Sequence, residues 1–250
     1  MKPNIVILLL LSLIMAGGAM AQSSADILKT SEEKRRGIES STAEMSMTII
    51  RPSWTRTMSM KAWSKGEDYS LILITGPAKD KGTATLKRKK EVWNWLPRIE
   101  RVVKLPPSMM SQSWMGSDLT NDDLVREVSL ITDYDHKKLA DEVVDGRKCW
   151  KIELIPHDDV AIVWGKVIMV IDQKDYLQLR TEFYDEDDEL INVMKASEIK
   201  TMGGRPVASK LELIPQDEEG HKTILEYKSL EFDKKVPEAF FSVQNMKRAK

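Results

Sequence analysis

Apolar and polar residues alternate along much of the chain, and the alternation begins at residues 43–49 and returns at residues 57–62. A period of two places successive side chains on opposite faces of a β-strand. The two runs are separated by the turn sequence Arg51-Pro52-Ser53, so they predict neighbouring strands with four methionines on one face. These methionines are Met45, Met47, Met58 and Met60.

Further short strand-like runs follow at spacings of about ten residues, with Gly, Pro or acidic turns between them. They lie at residues 69–75, 83–87, 91–96, 98–104, 150–154, 161–171, 177–183, 190–199, 206–214 and 222–232. Consecutive strands without helices between them are typical of an antiparallel meander, and a large twisted sheet must curl. We therefore predict a mainly β (α+β) fold, an unclosed antiparallel β-barrel of about eleven strands.

Short helices are predicted as a lid over this barrel. Residues 26–40 form a charged helical pattern with a thin apolar stripe that includes Ile27 and Leu28, which is expected to cover an opening and not to form a core. N-cap residues and acids predict a second helix at residues 122–127, and residues 133–139 are predicted as a further helical turn.

Residues 93–124 are the most aromatic and most interrupted part of the chain. They hold three of the seven tryptophans, a double proline and a methionine pair, and residues 105–115 show no clean period. Together with the methionine strands they predict the apolar wall and rim of a hydrophobic cavity. The predicted cavity residues are Met45, Met47, Met58, Met60, Trp63, Trp93, Trp95, Met109, Met110, Trp114 and Met115.

The 14 methionines allow two interpretations of this wall. Methionine fills irregular gaps in ordinary cores, and it also lines surfaces that adapt to variable apolar partners. Stable cores prefer the better-defined rotamers of Leu, Ile and Val, so the core interpretation is not preferred over the adaptable surface, and both are kept.

The first residues predict a cleaved signal peptide at residues 1–21. Lys2 supplies a positive n-region, residues 5–15 are almost wholly apolar, and Ala19 and Ala21 form a small-x-small cleavage site. The apolar run is shorter than the roughly 20 residues that span a bilayer. Gln22 stands where a lipid-modified protein would have cysteine, so residues 22–250 are expected to form one periplasmic domain without a lipid anchor.

Charge and side-chain chemistry exclude several classes of function. The net charge of -1 argues against nucleic acid as a partner, and the basic run at residues 87–90 is interpreted as a solvated hairpin turn. His136, His157 and His221 lack metal-ligand spacing. The single cysteine, Cys149, excludes an internal disulfide and is expected to be a small buried hydrophobe. We predict no catalytic residue, metal or cofactor.

Several motifs resemble the outer-membrane lipoprotein-sorting proteins related to the periplasmic carrier LolA. They are Trp93-Asn94-Trp95-Leu96-Pro97, residues 98–103, Ser113-Trp114-Met115-Gly116-Ser117-Asp118-Leu119, Asp122-Asp123-Leu124 and the closing Val236-Pro237-Glu238-Ala239-Phe240-Phe241. The resemblance implies an open barrel with helices as a lid over a hydrophobic cavity. It leaves open whether Arg51 or Arg56 corresponds to the functional arginine of the carrier, so no residue role is carried over.

Three functions are compatible with the sequence. The first is a periplasmic carrier that binds the acyl chains of lipoproteins or another lipid, receives them from an inner-membrane ABC transporter or other exporter, and passes them to an outer-membrane acceptor. The second is an accessory or sensor subunit that docks on an inner-membrane exporter or signalling receptor through residues 106–123. The third, a hydrolase using His157 and Asp158, is the least favoured, because these residues lie in a turn where polar residues are common for conformational reasons.

Overall fold

The computed structural model describes residues 22–36, 39–124, 129–160 and 162–249. Two α-helices, α1 (Ser24–Arg36) and α2 (Val243–Met246), lie at the two ends of these residues. The strands are β1 (Ser40–Arg51), β2 (Trp54–Lys65), β3 (Tyr69–Gly76), β4 (Ala84–Arg88), β5 (Glu91–Leu96), β6 (Arg101–Lys104), β7 (Tyr134–Lys138), β8 (Glu142–Val144), β9 (Arg147–Pro156), β10 (Lys166–Asp172), β11 (Gln178–Tyr184), β12 (Leu190–Met202), β13 (Arg205–Pro215) and β14 (Lys222–Phe232).

All fourteen strands belong to one antiparallel sheet that does not close on itself. The order is β6-β5-β4-β3-β2-β1-β14-β13-β12-β11-β10-β9-β7, and β8 pairs with β9 beside this path. The predicted open antiparallel barrel is confirmed, with fourteen strands in place of about eleven. β1 and β14, far apart in sequence, pair directly and join the two halves of the chain.

Two of the predicted helical segments differ in the structure. The helical turn predicted at residues 133–139 is wrong, because this segment forms the edge strand β7, which pairs with β9 and buries Tyr134. The helix predicted at residues 122–127 is a short 3-10 helix at Asp122–Leu124, and its remaining residues lie outside the described part of the chain. The predicted signal peptide also lies outside it. The first helix, predicted to extend to residue 40, ends at Arg36, and Ser40 begins β1. The strand predicted to start at residue 161 begins at Lys166.

Helix α1 packs on one half of the sheet through its narrow apolar stripe. Ser23 caps the helix by accepting a hydrogen bond from the Asp26 amide at 3.1 Å. Ile27 and Leu28 are fully buried in a cluster with side chains of β9 and β10, so the stripe does form part of a core, contrary to expectation. Ser31 donates a hydrogen bond to the Tyr176 carbonyl at 2.8 Å and fixes the helix to the β10–β11 turn.

A second element covers the other half of the same sheet face. We call residues 105–124 the cover segment, and the face beneath it and α1 the inner face. Trp114 of this segment is 3% exposed and packs in a cluster with the methionines of β1 and β2. Between α1 and the cover segment lie the inner-face residues of β11–β14, which form the floor of the site described below.

The C-terminal residues cover the outer face of the sheet. Phe241 and Met246 are buried against β3 and β4 in a cluster that contains Leu71, Leu73 and Leu86. The Ser242 side chain caps α2 by accepting a hydrogen bond from the Asn245 amide. Within the described residues, no helix has the length and apolar character needed to cross a membrane.

A buried ion pair lies at the end of β10. Asp172 is 1% exposed and accepts a hydrogen bond from Arg147 at 2.8 Å and one from the Asp175 amide at 2.6 Å. Burial alone would raise the pKa of Asp172, but the hydrogen bonds and the positive charge of Arg147 outweigh it, so the pKa lies below the usual value of 3.8. This carboxylate therefore stabilises the fold above pH 3.8, and that contribution is lost as the pH falls below this value.

Arg147→Met is expected to lower the free energy of unfolding by about 3 kcal/mol at pH 7, because Asp172 then remains buried without its cation. Burial would then raise the pKa of Asp172. In the variant, Asp172 would therefore take up a proton, and lose its buried charge, at a higher pH than in the wild type. Urea unfolding at pH 7 and pH 4 measures this. The difference in the free energy of unfolding between variant and wild type should be smaller at pH 4 than at pH 7. An equal difference at both pH values would show that Arg147 does not stabilise the ionised Asp172.

Candidate ligand-binding groove

The register of the sheet brings a row of apolar residues together on the inner face. Met194 of β12 lies opposite Thr181 of β11 on one side and Leu213 of β13 on the other. Leu211 lies two residues from Leu213 on the same face of β13. It pairs with Leu225 of β14, and Leu225 pairs with Met47 of β1. Because alternate residues of each strand share a face, this row forms a continuous apolar floor between α1 and the cover segment.

A cavity of about 520 Å³ lies where this floor meets the cover segment. Its floor comes from β11, β12 and β13, and its other walls come from the cover segment and the turn before β10. The lining residues are Pro107, Met110, Ser111, Asp118, Leu119, Thr120, Asp122, Asp123, Val163, Trp164, Phe183, Asn192, Met194 and Leu213. The lining thus combines hydroxyl and carboxylate groups of the cover segment with a largely apolar floor.

A second cavity of about 290 Å³ lies on the same face beside α1. It is lined by Ser31, Lys34, Arg35, Tyr176, Leu177, Gln178, Thr181, Met194, Ala196, Pro206, Val207, Ala208, Leu211, Leu225, Tyr227 and Leu230. Met194 lines both cavities and lies between them over the middle of β12. We call the two cavities together the inner groove.

Charges at the α1 end of the groove are largely paired. Arg35 forms an ion pair with Glu32 at 3.0 Å, and Lys34 lies over the ring of Tyr176 at 4.7 Å from its centroid. Burial raises the pKa of Tyr227 above its usual value of 10.0, against the opposing effect of the Arg35 charge. The Tyr227 hydroxyl therefore remains neutral at physiological pH and supplies a hydrogen-bonding group beside the apolar side chains of Leu225 and Leu230.

The cover segment is held in place by one buried hydrogen-bond chain. The Trp114 Nε1–H donates to Thr85 Oγ1 at 3.2 Å, and the Thr85 hydroxyl donates to Asn94 Oδ1 at 2.8 Å. A buried indole N–H without a partner would cost free energy, so this chain fixes the orientation of the ring. The ring in turn closes the space above the methionines of β1 and β2.

A buried ion pair provides the second anchor. Arg51 Nη2 lies 2.9 Å from Asp118 Oδ1 and also donates to the Gly116 carbonyl at 3.1 Å. Thr223 of β14 donates to Asp118 Oδ2 at 2.6 Å and accepts from the Asp118 amide at 2.9 Å. The tip of the cover segment is therefore bound both to the end of β1 and to the inner face of β14.

The eleven residues predicted to line a cavity fall into separate clusters. Six of them pack beneath the cover segment on the inner face: Met45, Met47, Met58, Met60, Trp114 and Met115. Met109 and Met110 lie at the start of that segment against β5, and Met110 also lines the larger cavity. Trp63, Trp93 and Trp95 lie on the outer face, where they pack with the C-terminal residues. The structure thus does not bring the three tryptophans together with the methionines.

Most residues of the inner groove were missed by sequence reasoning. Met194, Leu211, Leu213 and Leu225 lie in strands that the sequence predicted, at alternating positions that share one face. The signal that could have found them is this alternation in the second half of the chain. It was outweighed by the concentration of methionine and tryptophan in the first half.

The other candidate groups lie apart from the groove or are already paired. His157 Nε2 lies 3.4 Å from Asp135 Oδ1 on the exposed surface. Cys149 is fully buried, as expected, and burial raises its pKa. Asp118, Glu218 and His221 bring metal-ligating atoms within 4.8 Å of one another, but Asp118 already neutralises Arg51. The cluster is therefore accounted for by its own ion pairs.

Solved structures with the same fold cover nearly all of both chains. A DUF1329 family protein from Desulfovibrio piger is 26% identical, with a TM-score of 0.79 over 89% of this chain and 97% of that chain. A domain described as an outer membrane lipoprotein-sorting domain from Vibrio parahaemolyticus is 24% identical, with a TM-score of 0.77 over 90% and 98%. A LolA superfamily protein from Nitrosomonas europaea is 21% identical, with a TM-score of 0.73 over 90% and 99%.

The sequence comparisons give the family of the chain and no curated relative. No curated protein matches the sequence. A family model described as that of an uncharacterized protein matches residues 66–248, which is well over half of the chain. The chain therefore belongs to the family that this model describes, and it shares its LolA-like fold with the DUF1329 family protein, the lipoprotein-sorting domain and the LolA superfamily protein.

Proposed function

We propose that this protein is an exported carrier that binds the acyl chains of a lipoprotein or of another lipid in the inner groove. The observation that carries the proposal is the apolar floor of β11–β14, which lies between two covering elements and lines two adjoining cavities. Binding pockets for apolar ligands are concave and mostly apolar, with a few polar groups at fixed positions. The groove has this composition, with Tyr227, Gln178 and Asn192 among its polar groups.

The groove supports binding without covalent chemistry. Each Å² of ligand surface removed from water contributes about 25 cal/mol, so an acyl chain gains affinity from walls such as Leu211, Leu213 and Leu225 alone. Neither His157 nor Asp158 lines either cavity of the groove. A carrier therefore agrees better with the geometry than a hydrolase, in line with the lipoprotein-sorting name of one structural relative.

The predicted signal peptide supports a periplasmic location. A carrier there would take its ligand from an inner-membrane exporter and deliver it to an outer-membrane acceptor. The alternative, docking on a membrane partner through residues 106–123, is less favoured, because the largest apolar side chain of that segment, Trp114, is turned toward the sheet and 3% exposed.

Mass spectrometry of organic extracts from the natively purified protein tests the proposal, together with titration of a fluorescent fatty-acid probe. Leu211→Asp is expected to weaken probe binding roughly tenfold or more, because it removes an apolar contact and places a charge in the groove. Ser229→Asp, which adds the same charge at an exposed position of β14, should leave binding unchanged. Absence of both co-purified lipid and probe binding in the wild type would refute the carrier function.

A further inference from the structure

The two cavities of the inner groove are arranged in line along one strand. Asn192 lines only the larger cavity, Ala196 lines only the smaller one, and Met194 between them lines both. The neighbouring strands repeat this order, with Phe183 and then Thr181 on β11. The long axis of the groove therefore follows the strand direction, and Met194 lies at its midpoint.

The length of the groove matches that of one extended lipid chain. A strand rises about 3.3 Å per residue, so the step from Asn192 to Ala196 covers roughly 13 Å, and both cavities extend beyond these two residues. The hydrocarbon core of a bilayer is about 30 Å thick and holds two leaflets, so one acyl chain reaches roughly 15 Å.

We propose that a single unbranched acyl chain lies along β12 through both cavities, and that Met194 determines the chain length that the groove accepts. This inference rests on the proposed carrier function and adds the ligand class and the residue that selects it. Methionine is unbranched and flexible, so it can move aside from the midpoint without a change of the backbone. A rigid, bulkier side chain at this position would separate the two cavities.

The test compares octanoate and palmitate as competitors of a fluorescent fatty-acid probe. Each buried methylene raises affinity roughly fourfold, so the wild type should bind palmitate much more tightly than octanoate. Met194→Trp should lower the palmitate-to-octanoate affinity ratio at least tenfold, because octanoate still fits in one cavity. Lys195→Trp puts the same side chain on the adjacent, exposed position of β12 and should leave the ratio unchanged.

A second variant keeps the test valid if Met194→Trp fails to fold. Asn192→Phe fills the larger cavity from its own end and should also lower the ratio. The inference is overturned if a folded variant binds both acids with the wild-type palmitate-to-octanoate affinity ratio. That result would leave the carrier function intact. Failure of the wild type to bind either acid would instead overturn the carrier function, and this inference with it.

Discussion

Arg51→Leu is expected to weaken the attachment of the cover segment by about 3 kcal/mol, because it leaves the Asp118 carboxylate buried without its cation. The Asp118 side chain is 4% exposed and lies 2.9 Å from the Arg51 guanidinium. The substitution also removes the hydrogen bond to the Gly116 carbonyl. Thr223 still donates to Asp118 and Trp114 still donates to Thr85, so the segment stays attached to the sheet and the protein should remain folded.

Hydrogen exchange at the Asp118 amide measures this effect directly, because that amide donates to Thr223 on the sheet and is released when the segment detaches. A loss of about 3 kcal/mol corresponds to roughly a hundredfold faster exchange. Arg51→Leu combined with Asp118→Asn should recover much of the loss, because no uncompensated charge remains. Wild-type exchange in Arg51→Leu would show that the ion pair does not anchor the segment.

Arg56→Leu is the matched control. Arg56 pairs with Asp80 at 2.6 Å, but its side chain is 32% exposed, and more exposed pairs contribute less. The substitution should cost under about 1 kcal/mol and leave exchange at Asp118 unchanged. The sequence alone does not distinguish the roles of these two arginines, but their contacts do. Among the described contacts, Arg51 bonds to the cover segment, and Arg56 pairs with Asp80 outside it.

The strand pattern could be predicted from the sequence because alternation is a local property. Each strand of the first half, from β1 to β6, was predicted within a few residues of its observed bounds. The edge strand β7 was missed because its sequence, Tyr134-Asp135-His136-Lys137-Lys138, is mostly charged and carries little apolar signal. Its strand conformation depends on pairing with β9, a tertiary contact that composition does not reveal.

The division of apolar residues between the two faces could not be read from composition. Trp63 and Met60 lie three residues apart on one strand, yet Met60 packs under the cover segment and Trp63 under the C-terminal residues. An odd spacing along a strand puts two side chains on opposite faces, but both faces of this half of the sheet are covered. The sequence marks both as apolar, and only the packed structure shows which one faces the groove.

Phe241→Ala is expected to lower the free energy of unfolding by about 4 kcal/mol, because it empties the centre of the outer-face cluster. Phe241 is fully buried, and its ring lies 5.7 Å from that of Tyr69 and 5.4 Å from that of Phe240. These contacts hold the C-terminal residues against β3 and β4. Urea unfolding followed by tryptophan fluorescence measures the loss, and a decrease below about 1 kcal/mol would contradict this packing role.

Phe240→Ala is the control on the adjacent residue, since Phe240 is only partly buried and its ring centroid lies 5.3 Å from that of Trp63. It should cost roughly half as much as Phe241→Ala, because less of its surface is removed from water. Neither substitution touches the inner groove, so the folded fraction of each variant should bind the fatty-acid probe with wild-type affinity. Loss of probe binding in folded Phe240→Ala would instead assign Trp63 and its outer-face neighbours to the ligand, which would move the binding surface to the opposite side of the sheet.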